Sequence, residues 1–393
     1  MRKANFFPAM FFIFTFILFF NLFAQDDATY YKATTNFYGK PDTILALKEV
    51  TVKAPPSPES FKPFFHFSPI RQDTTGTCWA FSGISFFESE VFRLTGQKFK
   101  LSEMYIVYWE YVAKAREYIR TRGKSVFDEG SQEEAVIMRM REHGIVRAED
   151  YSGLLPGETK HNHSKMAGQM KNYLEFVKKN EYWDEEIIIA NIKMILNKYL
   201  GAPPTSIVVN ELRLTPESFL EMQLKLPLDD YVSFMSFKYQ PFYTKGSYRV
   251  PDNYWHSQEY YNIPLDEWYP AIISALKNGY TVGIGGDVSE IGKVGESDVA
   301  FIPPFDIPAK AIDQDAREYR FWNKTSTDDH GIHVLGYQKY KKHDWFLIKD
   351  SGSSSNKGTF KGYYFFRGDF IRLKMLTFLV HKDAVENILS KFK

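Results

Sequence analysis

Residues 72–82 read QDTTGTCWAFS and hold Cys78, the single cysteine among 393 residues. After it, Phe81, Ile84, Phe87, Val91 and Leu94 recur every three or four positions, which predicts an apolar helical stripe ending before Gly96. Cys78 therefore opens a helix, where unpaired backbone N–H groups and the positive end of the helix dipole favour the ionised form of a thiol. Upstream, Thr75-Gly76-Thr77 is a small-residue approach in which Gly76 leaves room for a substrate backbone beside the sulfur. Gln72, six positions before the cysteine, can turn its side-chain amide back as a donor to a developing oxyanion. The bland alternative is a polar loop entering a core helix, and this stretch alone does not decide between the two.

The N-terminus sharpens the question of why one thiol stands alone. MRKANFFPAMFFIFTFILFFNLFAQDD places Arg2 and Lys3 before an apolar run centred on Phe11–Phe20, with Ala24 ahead of polar Gln25. This is the layout of a secretory signal peptide over residues 1–24, in a run that is short and wrongly flanked for a membrane span; an uncleaved anchor is the alternative. The expectation is a periplasmic or secreted chain with no stable membrane insertion once the signal is removed. No cysteine lies near the expected cleavage point, which excludes a lipid anchor through an N-terminal cysteine.

With one cysteine there is no internal disulfide, so the fold holds by packing even in an oxidising compartment. A leftover exported thiol points to reactivity or intermolecular pairing. The formal net charge of +1 and the lack of a local Lys/Arg excess exclude nucleic acid as the main partner. Aromatic content of 17% and ordinary hydrophobicity are enough for a large core or two medium ones. No metal or organic cofactor is suggested.

A nucleophilic thiol needs a base. Of nine histidines, His161 and His163 in KHNHSK read as a solvated polar loop. His330 opens DHGIHVLGY, where a polar lead-in gives way to the strand-like Ile332, Val334 and Leu335. An imidazole at a strand edge is well placed as a general base. His333, three residues on, faces the opposite side of an extended strand and cannot share that role. Downstream, DWFLIKDSG contains a second apolar strand, Trp345–Ile348, ending at Asp350. A carboxylate there can accept the second imidazole N–H; the alternative is an ordinary turn aspartate before a Ser/Gly-rich loop.

Together QDTTGTCWAFS, DHGIHVLGY and DWFLIKDSG followed by GYYFF resemble, in order and spacing, the catalytic blocks of papain-like cysteine peptidases. LSEMYIVYWEYVAKAREYI, YLGAPPTSI, LTPESFLEM and VGIGGDVSE are similar to segments of the bleomycin hydrolase and aminopeptidase C branch. The resemblance spans about residues 65–390. It implies Cys78 as nucleophile, His330 as base, Gln72 as oxyanion donor and Asp350 as the orienting group. Two departures stand out. Asp350 replaces the family's asparagine, and Gly352 replaces a shielding tryptophan, which predicts a wetter carboxylate whose charge is screened. FDEGSQEEAVIMRMREHGI matches the region where the family aligns an extended peptide on a glycine pair. Gly130 holds the first glycine position and Ser131 the second, and with Gly76 and Trp79 they are the substrate-binding candidates. Ser131 has its own structural explanation: with Glu134 it makes a capping box for a helix ending at Gly144.

The fold class implied is α+β, papain-like and two-lobed. Residues 25–64 are a leader with the Pro-rich linker TVKAPPSPES, either a spacer or an inhibitory segment over the cleft. The peptidase domain comes next at 65–393, with a helix-rich lobe at about 65–205 and a strand-rich lobe at about 206–393. The resemblance implies a peptide or protein substrate and aminopeptidase-like cleavage. In that branch a C-terminal arm restricts cutting to the amino end, and here the chain stops at SKFK, which predicts a more open cleft. An open-cleft endopeptidase, an inactive peptide-binding module and a thiol acyltransferase or amidase remain as alternatives. Relatives form hexamers, so a homo-oligomer is implied too, though an exported chain need not keep that assembly.

Overall fold

The computed structural model describes residues 28–35 and 40–392; the signal peptide expected at 1–24 lies outside them. Five helices form one run: α1 (Cys78–Thr95), α2 (Glu103–Arg120), α3 (Glu133–His143), α4 (Ser164–Lys179) and α5 (Glu185–Leu200). Side-chain caps set two of the starts, Ser102 accepting from Tyr105 N–H on α2 and Asp184 from Ile187 N–H on α5. Gly96 ends α1 at φ 71° with its N–H on the Phe92 carbonyl, a left-handed turn that favours glycine.

Strands dominate the remainder of the chain. In chain order come β1 (Thr29–Thr35) and β2 (Pro41–Leu47) in the leader, then β3 (Ile207–Val209), β4 (Leu212–Leu214), β5 (Tyr231–Met235), β6 (Thr244–Gly246) and β7 (Tyr260–Asn262). Next are β8 (Val282–Gly286), β9 (Lys293–Val294), β10 (Val299–Ala300), β11 (His330–Tyr340), β12 (His343–Lys349), β13 (Tyr363–Arg367) and β14 (Met375–His381). Among the described residues one ten-stranded sheet runs β6-β7-β5-β14-β8-β11-β12-β13-β10-β9. It is antiparallel except where β5 meets β7 and β10 meets β13. Its central strands are buried along most of their length, Trp345–Lys349 without a break, as a sheet covered on both faces requires.

The result is two cores with α1 between them. One is helical, built from α1–α5 with Ile207, Phe219, Leu224 and Tyr231, and so extends beyond the sequence-based boundary near 205. The other packs the sheet under the helix Leu265–Lys277. Helix α1 packs against α2 and α3 on one side and β8 and β11 on the other. This explains why burial of α1 is not a single stripe: Ser82, Ser85, Glu88, Ser89 and Glu90 are buried with the apolar positions, while Leu94 at the end is exposed. Tyr231 seals the seam edge-on to Phe86 and Phe87 at 5.6 and 4.9 Å between ring centroids.

The described leader residues do not lie over the cleft. Leu47, Val50, Val52 and Ala54 pack on a separate cluster of Phe61, Val299, Phe301, Leu335, Trp345, Leu347 and Phe365. Lys32 reaches Glu296 at 2.9 Å. None of these residues lines the cleft, whose walls begin at Gln72.

Candidate active site

A cleft of about 580 Å³ brings together Gln72, Gly76, Cys78, Trp79, Gly130, Ser131 and His330. Cys78 is the first residue of α1, half-buried and reduced. His330 is the first residue of β11, its side chain 10% exposed. The close approach of helix and strand depends on Gly331, where a Cβ would lie 3.3 Å from the Trp79 Cα.

Asp350 comes just after β12, and its Oδ1 lies 2.8 Å from His330 Nε2. The Cys78 sulfur is the imidazole's other neighbour and interacts with it. With Nε2 on the carboxylate, Nδ1 is left for the sulfur. Burial would lower the imidazole, but the Asp350 carboxylate and the Cys78 sulfur outweigh it and raise His330 to about 10. The Asp350 carboxylate thus favours a protonated imidazole beside the sulfur.

Asp350 differs from the sequence-based expectation. Its side chain is fully buried, not wet, because Lys293 of β9 covers its other oxygen, Nζ to Oδ2 at 3.2 Å, in a pair that is 6% and 0% exposed. Gly352 N–H donates to Oδ1 at 2.6 Å, so the residue expected to open the site to water supplies a bond instead. Burial would raise the carboxyl, yet Lys293 and His330 together hold it well below the usual carboxylate range.

Gln72 is buried and held at both ends of its amide. Nε2 donates to the Thr75 carbonyl at 2.6 Å and Oε1 accepts from Ser351 Oγ at 2.8 Å. One Nε2 proton remains for the cleft, beside the Cys78 backbone N–H, which as a first-turn group has no partner within the helix.

The substrate-binding candidates divide. Gly130 lines the cleft, with its carbonyl accepting from the buried Lys114 ammonium and Asp252 packed where a Cβ would stand. Ser131 turns inward: its hydroxyl donates to Glu110 at 2.5 Å, and the N-cap of α3 is Gln132 without a side-chain bond. The expected capping box is therefore absent, because tertiary capture by α2 competes for the hydroxyl, and Glu134 bonds Ser257 at 3.1 Å instead. The room at Gly76 is taken by Glu129, whose Cβ lies 2.8 Å from the Cβ position and whose Oε2 accepts the Gly76 N–H at 2.8 Å. Trp79 is 1% exposed, and its indole N–H donates to the Glu129 carbonyl at 3.1 Å. Its side chain braces the cleft wall from behind. His163 also departs from expectation: it is buried beside Glu129 rather than solvated. His333 is buried with Nδ1 2.9 Å from Ser85 Oγ, away from the sulfur. Among the described residues no group of acidic, His and Cys side chains is arranged to hold a metal ion.

Sequence reasoning missed Lys293, Lys114, Glu129, Asp252 and Asp328. Glu129 carried a signal as the acid immediately before the glycine of FDEG, and Asp328 as part of the polar lead-in two residues before His330; Lys114 lies within LSEMYIVYWEYVAKAREYI but nothing there marks its role, and Lys293 and Asp252 reach the site from segments with no local motif. Asp128, Asp252, Asp328, Asp329 and Glu134 line the cleft walls, and burial pushes the Asp252, Asp328 and Glu134 carboxyls up, toward their neutral acids.

No family model matches the chain. Aminopeptidase C of Listeria monocytogenes is 22% identical over 265 residues, 56% of this chain and 59% of that protein. The match thus spans less than two thirds of that relative's length. The crystal structure of PepW from Lactobacillus rhamnosis superposes with a TM-score of 0.67 at 17% identity, covering 84% of this chain and 83% of that one. The fold is therefore the papain-like α+β fold, and the chain resembles the aminopeptidase C branch of that group.

Proposed function

We propose that this chain is a papain-like cysteine peptidase, exported by the signal peptide expected at residues 1–24 to the periplasm or the exterior, and acting on the amino end of peptides. The observation that carries the reading is the succession from Cys78, half-buried in the wall of a 580 Å³ cleft, through His330 to the buried Asp350, with Gln72 also lining the cleft.

The chemistry comes from placing these groups around one carbonyl. The Cys78 thiolate adds to the carbonyl carbon, and the negative charge moves to the oxygen, which Gln72 Nε2 and the Cys78 N–H receive. The C–N bond breaks as His330 passes its proton to the leaving amine. Water then gives its proton to His330 and its hydroxyl to the acyl carbon, releasing the acid and restoring the thiolate–imidazolium pair. Asp350 orients the imidazole and stabilises its charged form throughout.

The aminopeptidase assignment rests on the resemblance to aminopeptidase C. A second reading is an endopeptidase. The described C-terminal residues pack elsewhere, Lys391 on Glu267 at 2.8 Å and Phe392 against Tyr243 and Tyr261, and none of them lines the cleft.

The test is digestion of a mixed peptide library, read by mass spectrometry, with mature protein beside Cys78→Ala. Stepwise loss of amino-terminal residues that needs Cys78 supports the proposal, and Cys78-dependent internal cuts favour the second reading. An untouched library, with peptides retained by both proteins, would replace both with a peptide-binding module. New amides formed from added amines would point to an acyltransferase.

A further inference from the structure

We propose that Lys293 is a positioning residue of this site, the counter-charge that allows an aspartate to hold the base. The inference rests on the peptidase reading and extends it by one residue.

The geometry places four groups in a line of alternating sign. Cys78 meets His330, His330 Nε2 meets Asp350 Oδ1 at 2.8 Å, and Asp350 Oδ2 meets Lys293 Nζ at 3.2 Å. Lys293 is itself fixed: Nζ donates to Ser354 Oγ at 3.2 Å and stands 4.8 Å from the centre of the Tyr364 ring. The groups facing this line come from several elements: Asp350 after β12, Tyr364 of β13, Ser354 in the loop between them, Asp329 just before β11 and His330 on it. Of these, Asp350 makes the direct ion pair with Lys293.

A neutral amide in the orienting position needs no partner, since thiolate and imidazolium already cancel. A buried carboxylate adds one negative charge to a dry site, which is costly unless a cation meets it. It also grips the imidazole proton more tightly than a general acid should, because that proton has to leave for the amine. Lys293 answers both difficulties. It cancels the extra charge, and as a cation beyond the carboxylate it weakens the pull on the imidazolium. Lys293 and Asp350 together thus act in place of one neutral side chain.

The alternating charges imply a sign that a packing role does not. Removing the cation with Lys293→Met, which keeps length and apolar contact with Tyr364, leaves net negative charge and destabilises the thiolate. The pH at which Cys78 becomes alkylated by iodoacetamide then moves up. Asp350→Asn leaves net positive charge and moves it down. The double variant is neutral again and returns close to the wild-type curve, with kcat/KM within several-fold of wild type, while each single variant loses about tenfold or more.

The experiment is alkylation rate against pH for the four full-length mature proteins, with peptide turnover beside it and circular dichroism to confirm folding. Opposite shifts that cancel in the double variant support the inference. Superimposable Lys293→Met and wild-type curves, or a double variant no better than the worse single one, overturn it. If Lys293→Met does not fold, the double variant, free of both buried charges, decides: wild-type-like reactivity supports the pairing and lost reactivity refutes it. The alkylation readout needs no peptide. Ordinary thiol titration at about 8.5 in the wild type removes both the peptidase reading and this one, whereas a wild-type ion pair untouched by Lys293→Met removes only this one.

Discussion

Replacing Gln72 with alanine tests the oxyanion geometry most directly. The side-chain amide spends one Nε2 proton on the Thr75 carbonyl at 2.6 Å and its oxygen on Ser351 Oγ at 2.8 Å, leaving a single proton for the developing charge. One such donor contributes about 3 kcal/mol to the transition state, so kcat should fall roughly 100-fold. KM should change little, because the bond forms to the oxyanion rather than to the ground-state carbonyl. The same substitution strips two buried hydrogen bonds, worth about 1 kcal/mol each, which lowers the melting temperature without explaining a loss in kcat. Gln72→Glu separates the effects: it keeps an acceptor for Ser351 but has no proton to donate. Stopped-time assays with a fluorogenic peptide would measure kcat and KM for both variants, beside thermal melts. Either variant retaining kcat within about threefold of wild type would refute Gln72 as the donor.

Three more outcomes rest on Gly130, Glu133 and the leader. Gly130→Ala drives a methyl group into the Asp252 carboxylate, so KM should rise at least tenfold while Cys78 alkylation stays normal; unchanged KM would remove Gly130 from the substrate path. Burial pushes the Glu133 carboxyl up from 4.5 to about 8, so the native state holds a proton that the unfolded chain releases. Its stabilising contribution is complete below about pH 4.5 and is lost as pH rises toward 8, and Glu133→Gln, which still pairs with Ser82, should flatten the fall in melting temperature over that window. Removing the leader up to Lys48 should leave turnover unchanged, since none of its described residues lines the cleft; a rise in activity would restore the inhibitory reading.

The parts of the site that were legible in the sequence are those set by short-range pattern. Cys78 at a helix start and His330 at a strand edge announce themselves through the residues on either side. Asp350 was legible as a strand-end carboxylate, but its surroundings were not. Gly352 suggested an open, screened group, whereas the cover comes from Lys293, which is 57 positions earlier and joins through an edge strand of only two residues. Ser131 shows the converse failure. Its spacing to Glu134 satisfies a local rule, and Glu110 on a different helix takes the hydroxyl first. The central place of α1 was invisible for a related reason: serines and glutamates on its polar face look solvent-facing until a second lobe covers them, as Ser85 does with His333.

The packing of α1 against β11 has a mechanical consequence. Nucleophile and base stand on two elements locked by the Ser85–His333 contact and by the near touch of Gly331 on the Trp79 backbone. Gly130 and Asp252 lie on neither element, so the wall they form is built apart from the joint that holds sulfur and imidazole together. Substitutions that reshape that wall should therefore alter what the cleft accepts and leave the reactivity of Cys78 as it is.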